Sequence, residues 1–194
     1  MKDIITKSYK DSIQIKEVFF KQNQQLISQS AELIAEAFKA GNKLLLCGNG
    51  GSAADAQHLA AEFVNRFAIE RPPLPAIALS TDTSILTSIG NDYSFDQAFS
   101  KQIKAIGKEG DILLAISTSG ESKNVIMAVK VARDMGIKAI GLTGKGGGKM
   151  AKMVDILLNV DSNITARIQE VHITVGHIIC ELVDHILFQG ASQD

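Results

Sequence analysis

Four side chains at two helical spacings could hold a metal ion or move a proton. His58 and Glu62 stand four residues apart in Asp55-Ala-Gln-His-Leu-Ala-Ala-Glu62, so on a helix they project from one face. An imidazole and a carboxylate placed in this way can share a cation or work as an acid/base pair. The same spacing also fits an ordinary solvated ion pair. Two things favour the chemical reading: the pair lies one to two turns past a candidate anion-binding turn, and Ala60 and Ala61 leave space around it. The second set is Gln169 and His177 in Arg167-Ile-Gln-Glu-Val-His-Ile-Thr-Val-Gly-His177. Eight residues put them about 80° apart around a helix and about 12 Å apart along it. They reach one site only at a stretch, through a bend in the helix, or with a contribution from a neighbouring subunit. His172 and His185, each alone on its helical stretch, read as satisfied or solvent-facing residues.

Two turns supply a place for an anion. Lys43-Leu-Leu-Leu-Cys-Gly-Asn-Gly-Gly-Ser52 and Asp111-Ile-Leu-Leu-Ala-Ile-Ser-Thr-Ser-Gly120 are apolar runs that end in small polar residues and pass directly into helical sequence. Such turns leave backbone N–H groups and hydroxyls at a positive helix N-terminus, where a phosphate is well held. In the first, Gly50 and Gly51 let the backbone come close to a ligand, while Asn49 and Ser52 remain as polar side chains. Ser52 also reads as the N-cap of the following helix. In the second, Ser117, Thr118, Ser119 and Ser122 surround Gly120 with more hydroxyls than capping requires. Neither turn is a P-loop, since the Gly-Lys-Ser/Thr ending is missing, and the first fails the dinucleotide spacing.

The elements that must position these residues follow from periodicity. Short apolar runs at Leu44–Cys47, Ala76–Leu79, Ile112–Ile116, Ala139–Leu142 and Ile156–Val160 alternate with helical segments, the signature of a parallel sheet wrapped by helices. The stretch from about Ile5 to Ala40 has helical spacing, is read as two helices, and stops at Gly41-Asn42. From about Thr165 to Phe188 runs a wide apolar stripe, part of which is expected to face another subunit. Gly144–Gly148 reads as a flexible turn and Ala191–Asp194 as a frayed end. Strand-ending turns on neighbouring strands would flank a crevice, the usual ligand site of open α/β folds.

Composition narrows the partners. The 194 residues are 45% hydrophobic and carry 20 basic against 21 acidic side chains, for a formal charge of −1. That balance provides no footprint for nucleic acid or an anionic membrane surface. A polar start and no run judged long enough to span a bilayer place the protein in the cytoplasm. Cys47 and Cys180 sit in apolar contexts and read as reduced core residues.

Taken in order, Cys47-Gly-Asn-Gly-Gly-Ser52, Asp55-Ala-Gln-His58, Gly90-Asn-Asp92, Ile116-Ser-Thr-Ser-Gly120, Gly144-Lys-Gly-Gly-Gly-Lys149 and Ala166-Arg-Ile-Gln-Glu170 resemble the phosphoheptose isomerases of the sugar-isomerase (SIS) family. The resemblance covers almost the whole chain. It implies one SIS domain over 1–194, an α/β fold with a five-stranded parallel sheet flanked by helices on both faces. Helices occupy about 1–40, the sheet-and-helix core about 41–165, and a long C-terminal helix about 166–188. It implies a homotetramer with active sites at subunit interfaces and one zinc per subunit on His58, Glu62, Gln169 and His177. Substrate contacts carried over by position are Asn49, Gly50, Gly51, Ser52, Glu62, Asn91, Asp92, Ser117, Thr118, Ser119, Ser122 and Gln169, with the serines around the phosphate. Glu62 and His177 would be base and acid. The implied reaction converts sedoheptulose 7-phosphate to D-glycero-D-manno-heptose 7-phosphate, the first step towards ADP-heptose and lipopolysaccharide core.

One position departs from the pattern: some isomerases carry an acidic residue where this chain has Ala166, which removes a polar substrate contact. A relative in the same family, the DnaA-initiator-associating protein, is a non-catalytic tetramer that promotes replication initiation. Asn65-Arg-Phe67, Glu70-Arg-Pro-Pro-Leu-Pro-Ala-Ile-Ala-Leu79 and the tail near Asp184–Phe188 look more like that protein, and a DnaA-like partner follows from that alternative. That relative resembles a site lacking the equivalents of Glu62 and His177, whereas this chain keeps both. A third reading is a sugar-phosphate sensor without turnover.

Overall fold

The computed structural model describes residues 1–189, so the expected fraying of Ala191–Asp194 lies outside them. Five strands, β1 (Leu44–Gly48), β2 (Ala76–Ala78), β3 (Ile112–Ser117), β4 (Lys138–Gly144) and β5 (Ile156–Val160), form one parallel sheet in the order β2-β1-β3-β4-β5. Strands buried on both faces read as continuous apolar runs, and alternate residues feed two cores. Leu44, Leu46, Ile112, Leu114, Ile116, Ile140 and Leu142 face α1 (Lys2–Lys39), α2 (Gly51–Val64) and α6 (Thr165–Asp184). Leu45, Cys47, Leu113, Ala115 and Ala139 face α4 (Ala98–Ile106) and α5 (Lys123–Asp134). The remaining helix, α3 (Thr83–Asp92), is mostly exposed.

Three expectations change, and the expected subunit-facing part of the α6 stripe is narrowed to its partly buried residues. The N-terminal segment is one helix of 38 residues rather than two, because no glycine or proline interrupts Lys2–Lys39. Only its second half is built into the core, from Phe19 onward, while Ile4, Ile5, Tyr9, Ile13 and Val18 are exposed. The apolar stripe of α6 is mainly the chain's own core: Ile168, Val171, Val175, Ile179 and Val183 are buried, with Ile178, Leu182 and Ile186 packed partly against them. Gly144 ends β4, and Lys145–Lys152 form 3₁₀ turns broken by left-handed backbone at Gly146, Gly147 and Gly148, with Met150 N–H donating to the Gly120 carbonyl at 3.1 Å. Finally, Thr165–Gln189 is long and apolar enough to cross a membrane, with a window hydropathy of 1.4, contrary to the sequence reading. The physical reason is its role as a core helix, for which the sheet side must be apolar along its length.

Both cysteines are buried and free, and burial pushes the Cys47 thiol up to about 12, so it is inert at neutral pH.

Candidate active site

The chain reverses direction across the sheet between β1 and β3, which leave from a common centre to opposite edges. The carboxyl ends of two such strands bound a crevice that no crossover helix covers. Gly48 pairs with Ile116 at this point, so the two small-residue turns stand side by side. They are also tied to each other. Asn49 Nδ2 donates to Asn124 Oδ1 at 2.9 Å, and Asn124 Nδ2 donates back to Asn49 Oδ1 at 2.8 Å. Asn124 Oδ1 also accepts from Val125 N–H at 2.9 Å in the first turn of α5.

Within the second turn, Ser117 Oγ donates to Ser122 Oγ at 3.0 Å, and Ser119 Oγ accepts from Glu121 N–H at 3.2 Å. Thr118 and Ser119 are half-buried. Gly120 turns the chain at φ +64°, and a Cβ there would strike the Gly147 carbonyl, so this turn is packed backbone to backbone against the Gly144–Gly148 segment. Glu121 fastens the same contact by accepting from Lys149 N–H at 2.9 Å and pairing with Lys149 Nζ at 3.0 Å. Its carboxyl is held below the usual range by that lysine. In the first turn the helix cap is Gly50 rather than Ser52, which is buried as the second residue of α2. Gly50 and Gly51 are exposed at its tip.

Helices α2 and α6 both start at the carboxyl edge and run back along the sheet, hence parallel to each other. A Cβ at Gly51 would collide with the Gln169 amide, and one at Gly176 would meet Leu59 at 2.6 Å. This register brings His177 beside His58: the two Nε2 atoms are 2.8 Å apart, and their rings are 5.0 Å apart between centroids. Glu62 Oε1 lies 3.4 Å from His58 Nε2. The three donor atoms all fall within 4.8 Å of one another. Phe67 lies against His177, with ring centroids 5.5 Å apart.

The donor set suits a divalent ion such as zinc, for which imidazole nitrogens and a carboxylate oxygen are ordinary ligands. Tetrahedral nitrogen ligands sit about 3.3 Å apart at usual zinc distances, so a slight opening of the histidine pair would admit an ion. One chain supplies all three groups without a neighbouring subunit. Gln169 takes the other end of the α2–α6 contact, against Gly51 and about 12 Å along α6 from His177.

Asn91 and Asp92 are exposed at the end of α3, where Asn91 Nδ2 donates to Asp92 Oδ1 at 2.8 Å. His172 is buried, with Nε2 3.0 Å from the Thr143 carbonyl. Sequence reasoning missed four contributors. Asn124 gave no signal because an asparagine in a first helical turn looks like local capping. Glu121 and Lys149 lie in quoted or adjacent segments, but their pairing needs β3 and β4 side by side. Asp55, one turn before His58, has a half-buried carboxyl that burial pushes up, opposed by His58. Its Oδ2 is buried and has no partner among the described residues.

Comparison with known proteins defines the family and the class of fold. Residues 8–144 match the SIS domain. A phosphoheptose isomerase of Nitratidesulfovibrio vulgaris is 59% identical over 180 residues, covering 93% of this chain and 86% of the relative. The structure of a phosphoheptose isomerase from Neisseria gonorrhoeae is 48% identical with a TM-score of 0.90, covering 94% of this chain and 98% of the other. One from Francisella tularensis is 43% identical with a TM-score of 0.91, covering 94% and 97%. The chain belongs to the phosphoheptose isomerase family.

Proposed function

We propose that the protein isomerises sedoheptulose 7-phosphate to D-glycero-D-manno-heptose 7-phosphate. The observation that carries this reading is the convergence of His58, Glu62 and His177 on two parallel helices, α2 and α6, of which α2 starts at the first of the paired anion turns. Ketose-to-aldose conversion requires a base to move a proton between adjacent carbons through an enediol, and an acid to serve the two oxygens. Glu62 removes the proton from C1 and returns it at C2. His177 protonates the C2 carbonyl oxygen and accepts the proton of the C1 hydroxyl. Asn49, Gly50, Gly51, Ser52, Ser117, Thr118, Ser119 and Ser122 bind the substrate, with the hydroxyls around its phosphate. Binding energy from this remote group holds the open chain in position for proton transfer. Asn91, Asp92 and Gln169 are assigned to substrate by the family resemblance.

His58, Glu62 and His177 would hold one zinc per subunit, with Gln169 as the fourth ligand by resemblance. The chemistry supplied when it is bound is Lewis-acid stabilisation of the developing oxyanion. The working unit in this reading is a cytoplasmic homotetramer that feeds ADP-heptose and lipopolysaccharide core synthesis. The initiator-associating alternative is set aside because Glu62 and His177 are retained and converge, and the similar proteins are named as isomerases. Purified, zinc-loaded protein incubated with sedoheptulose 7-phosphate should produce an aldose heptose 7-phosphate detectable by NMR. Binding of the sugar without any aldose would sink the enzyme reading and leave the sensor.

A further inference from the structure

Glu62 and His58 lie on the last turns of α2, and His177 lies two turns before the end of α6. The last carbonyls of a helix have no partners within it, so such an end is fixed only if something outside takes them up. Arg71 does this for α2. Its NH2 group donates to the carbonyl of Glu62 itself at 2.9 Å, and NH1 donates to the carbonyls of Phe63 at 2.6 Å, Pro72 at 3.2 Å and Asn65 at 3.3 Å. A cation there also complements the negative end of the helix dipole. The remaining donor, Nε, reaches Asp184 Oδ1 at 2.9 Å, on the last residue of α6. Both side chains are nearly sealed, at 1% and 4% exposure. The pair therefore sits in a low-dielectric setting where a planar five-donor fork can span two helix ends and a point charge cannot.

We propose that Arg71 is the positioning residue of the metal cluster. By joining the C-terminal carbonyls of α2 to the carboxylate that ends α6, it sets the register that keeps His58 and Glu62 opposite His177. Pro72 and Pro73 stiffen its backbone, so the guanidinium is held where the two helices must meet it. The inference rests on the metal reading of the cluster and adds a residue that touches neither metal nor substrate.

Cobalt(II) titration of the purified protein, followed by its visible absorption, tests this without reference to turnover, with inorganic phosphate binding measured in parallel. Wild type should bind cobalt(II). Arg71→Lys should bind it about 10- to 100-fold more weakly, with an altered spectrum, the usual range for losing an outer residue of a metal site. Its phosphate affinity should stay within about twofold of wild type, since the anion turns lie at the other end of α2. Unchanged cobalt affinity and spectrum in Arg71→Lys would overturn the proposal, whatever its melting temperature. An equal loss of cobalt and phosphate affinity would overturn it too, because Arg71 would then support the fold as a whole. If Arg71→Lys does not fold, Asp184→Asn replaces it in the same assay, with weaker cobalt binding expected and wild-type binding decisive against. A wild type that binds no cobalt would remove the metal reading itself.

Discussion

His58 Nε2 and His177 Nε2 are 2.8 Å apart although 119 residues separate them in the chain. At that distance one ring nitrogen donates a hydrogen and the other accepts it, so the pair shares a single proton. A metal bound to both Nε2 atoms needs both lone pairs, so its binding breaks this hydrogen bond and moves the shared hydrogen to the Nδ1 atom of the same ring. Adding zinc should therefore leave both imidazoles with their hydrogen on Nδ1, a change that nitrogen NMR of the histidine rings reads directly. Ring-nitrogen signals that do not change on zinc addition would mean that the ion sits elsewhere.

Glu62→Gln keeps the size and hydrogen-bonding shape of the side chain but removes the base. Turnover should fall at least about 10²-fold, while the melting temperature changes little. Near-normal turnover measured on zinc-loaded protein would take Glu62 out of the proton transfer.

Replacing Ser119 or Ser122 by alanine should weaken binding of substrate and of inorganic phosphate by about 1–3 kcal/mol, through loss of a charge-assisted hydrogen bond. Calorimetric titration with phosphate reads this directly. Unchanged affinity in both variants would displace the phosphate from this turn.

Two glycines separate stability from site geometry. Gly120→Ala forces a Cβ into the Gly147 carbonyl from a left-handed backbone, with nothing flexible to yield, and should cost more than about 2 kcal/mol of stability. Gly51→Ala meets only the end of the Gln169 side chain, which can swing away. It should leave denaturant stability within about 1 kcal/mol of wild type yet alter substrate affinity. Equal denaturation midpoints for the two variants would contradict the packing described.

Burial holds the His172 imidazole at about 4, partly offset by its hydrogen bond to the Thr143 carbonyl. The unfolded chain takes up a proton below about 6.5, whereas the folded chain does not until about 4. Stability present above pH 6.5 is therefore lost as pH falls through this window, by roughly 3 kcal/mol in all. His172→Gln can still donate to Thr143 but does not titrate, so its urea stability should fall less steeply between pH 6.5 and 4.5. Parallel curves would show that His172 is not the group responsible.

Much of this was legible in local spacing. The i,i+4 pair His58 and Glu62 shares a helix face whatever surrounds it, and apolar runs ending in glycine and serine predict strand-to-turn geometry because those residues act on their own backbone. The five strands and both turns follow from such short-range rules. The single α1 differs from the two helices expected, because a long amphipathic run does not say where it ends when no breaker is present. What only the tertiary structure decided is which distant residues meet. His177 reaches His58 because α6 returns parallel to α2 with Gly176 against Leu59, a register set by packing over the sheet. Asn124 meets Asn49, and Arg71 meets Asp184, for the same reason. Contacts within one helical turn are written in residue spacing, whereas contacts between elements depend on strand order and side-chain volume summed over the whole core.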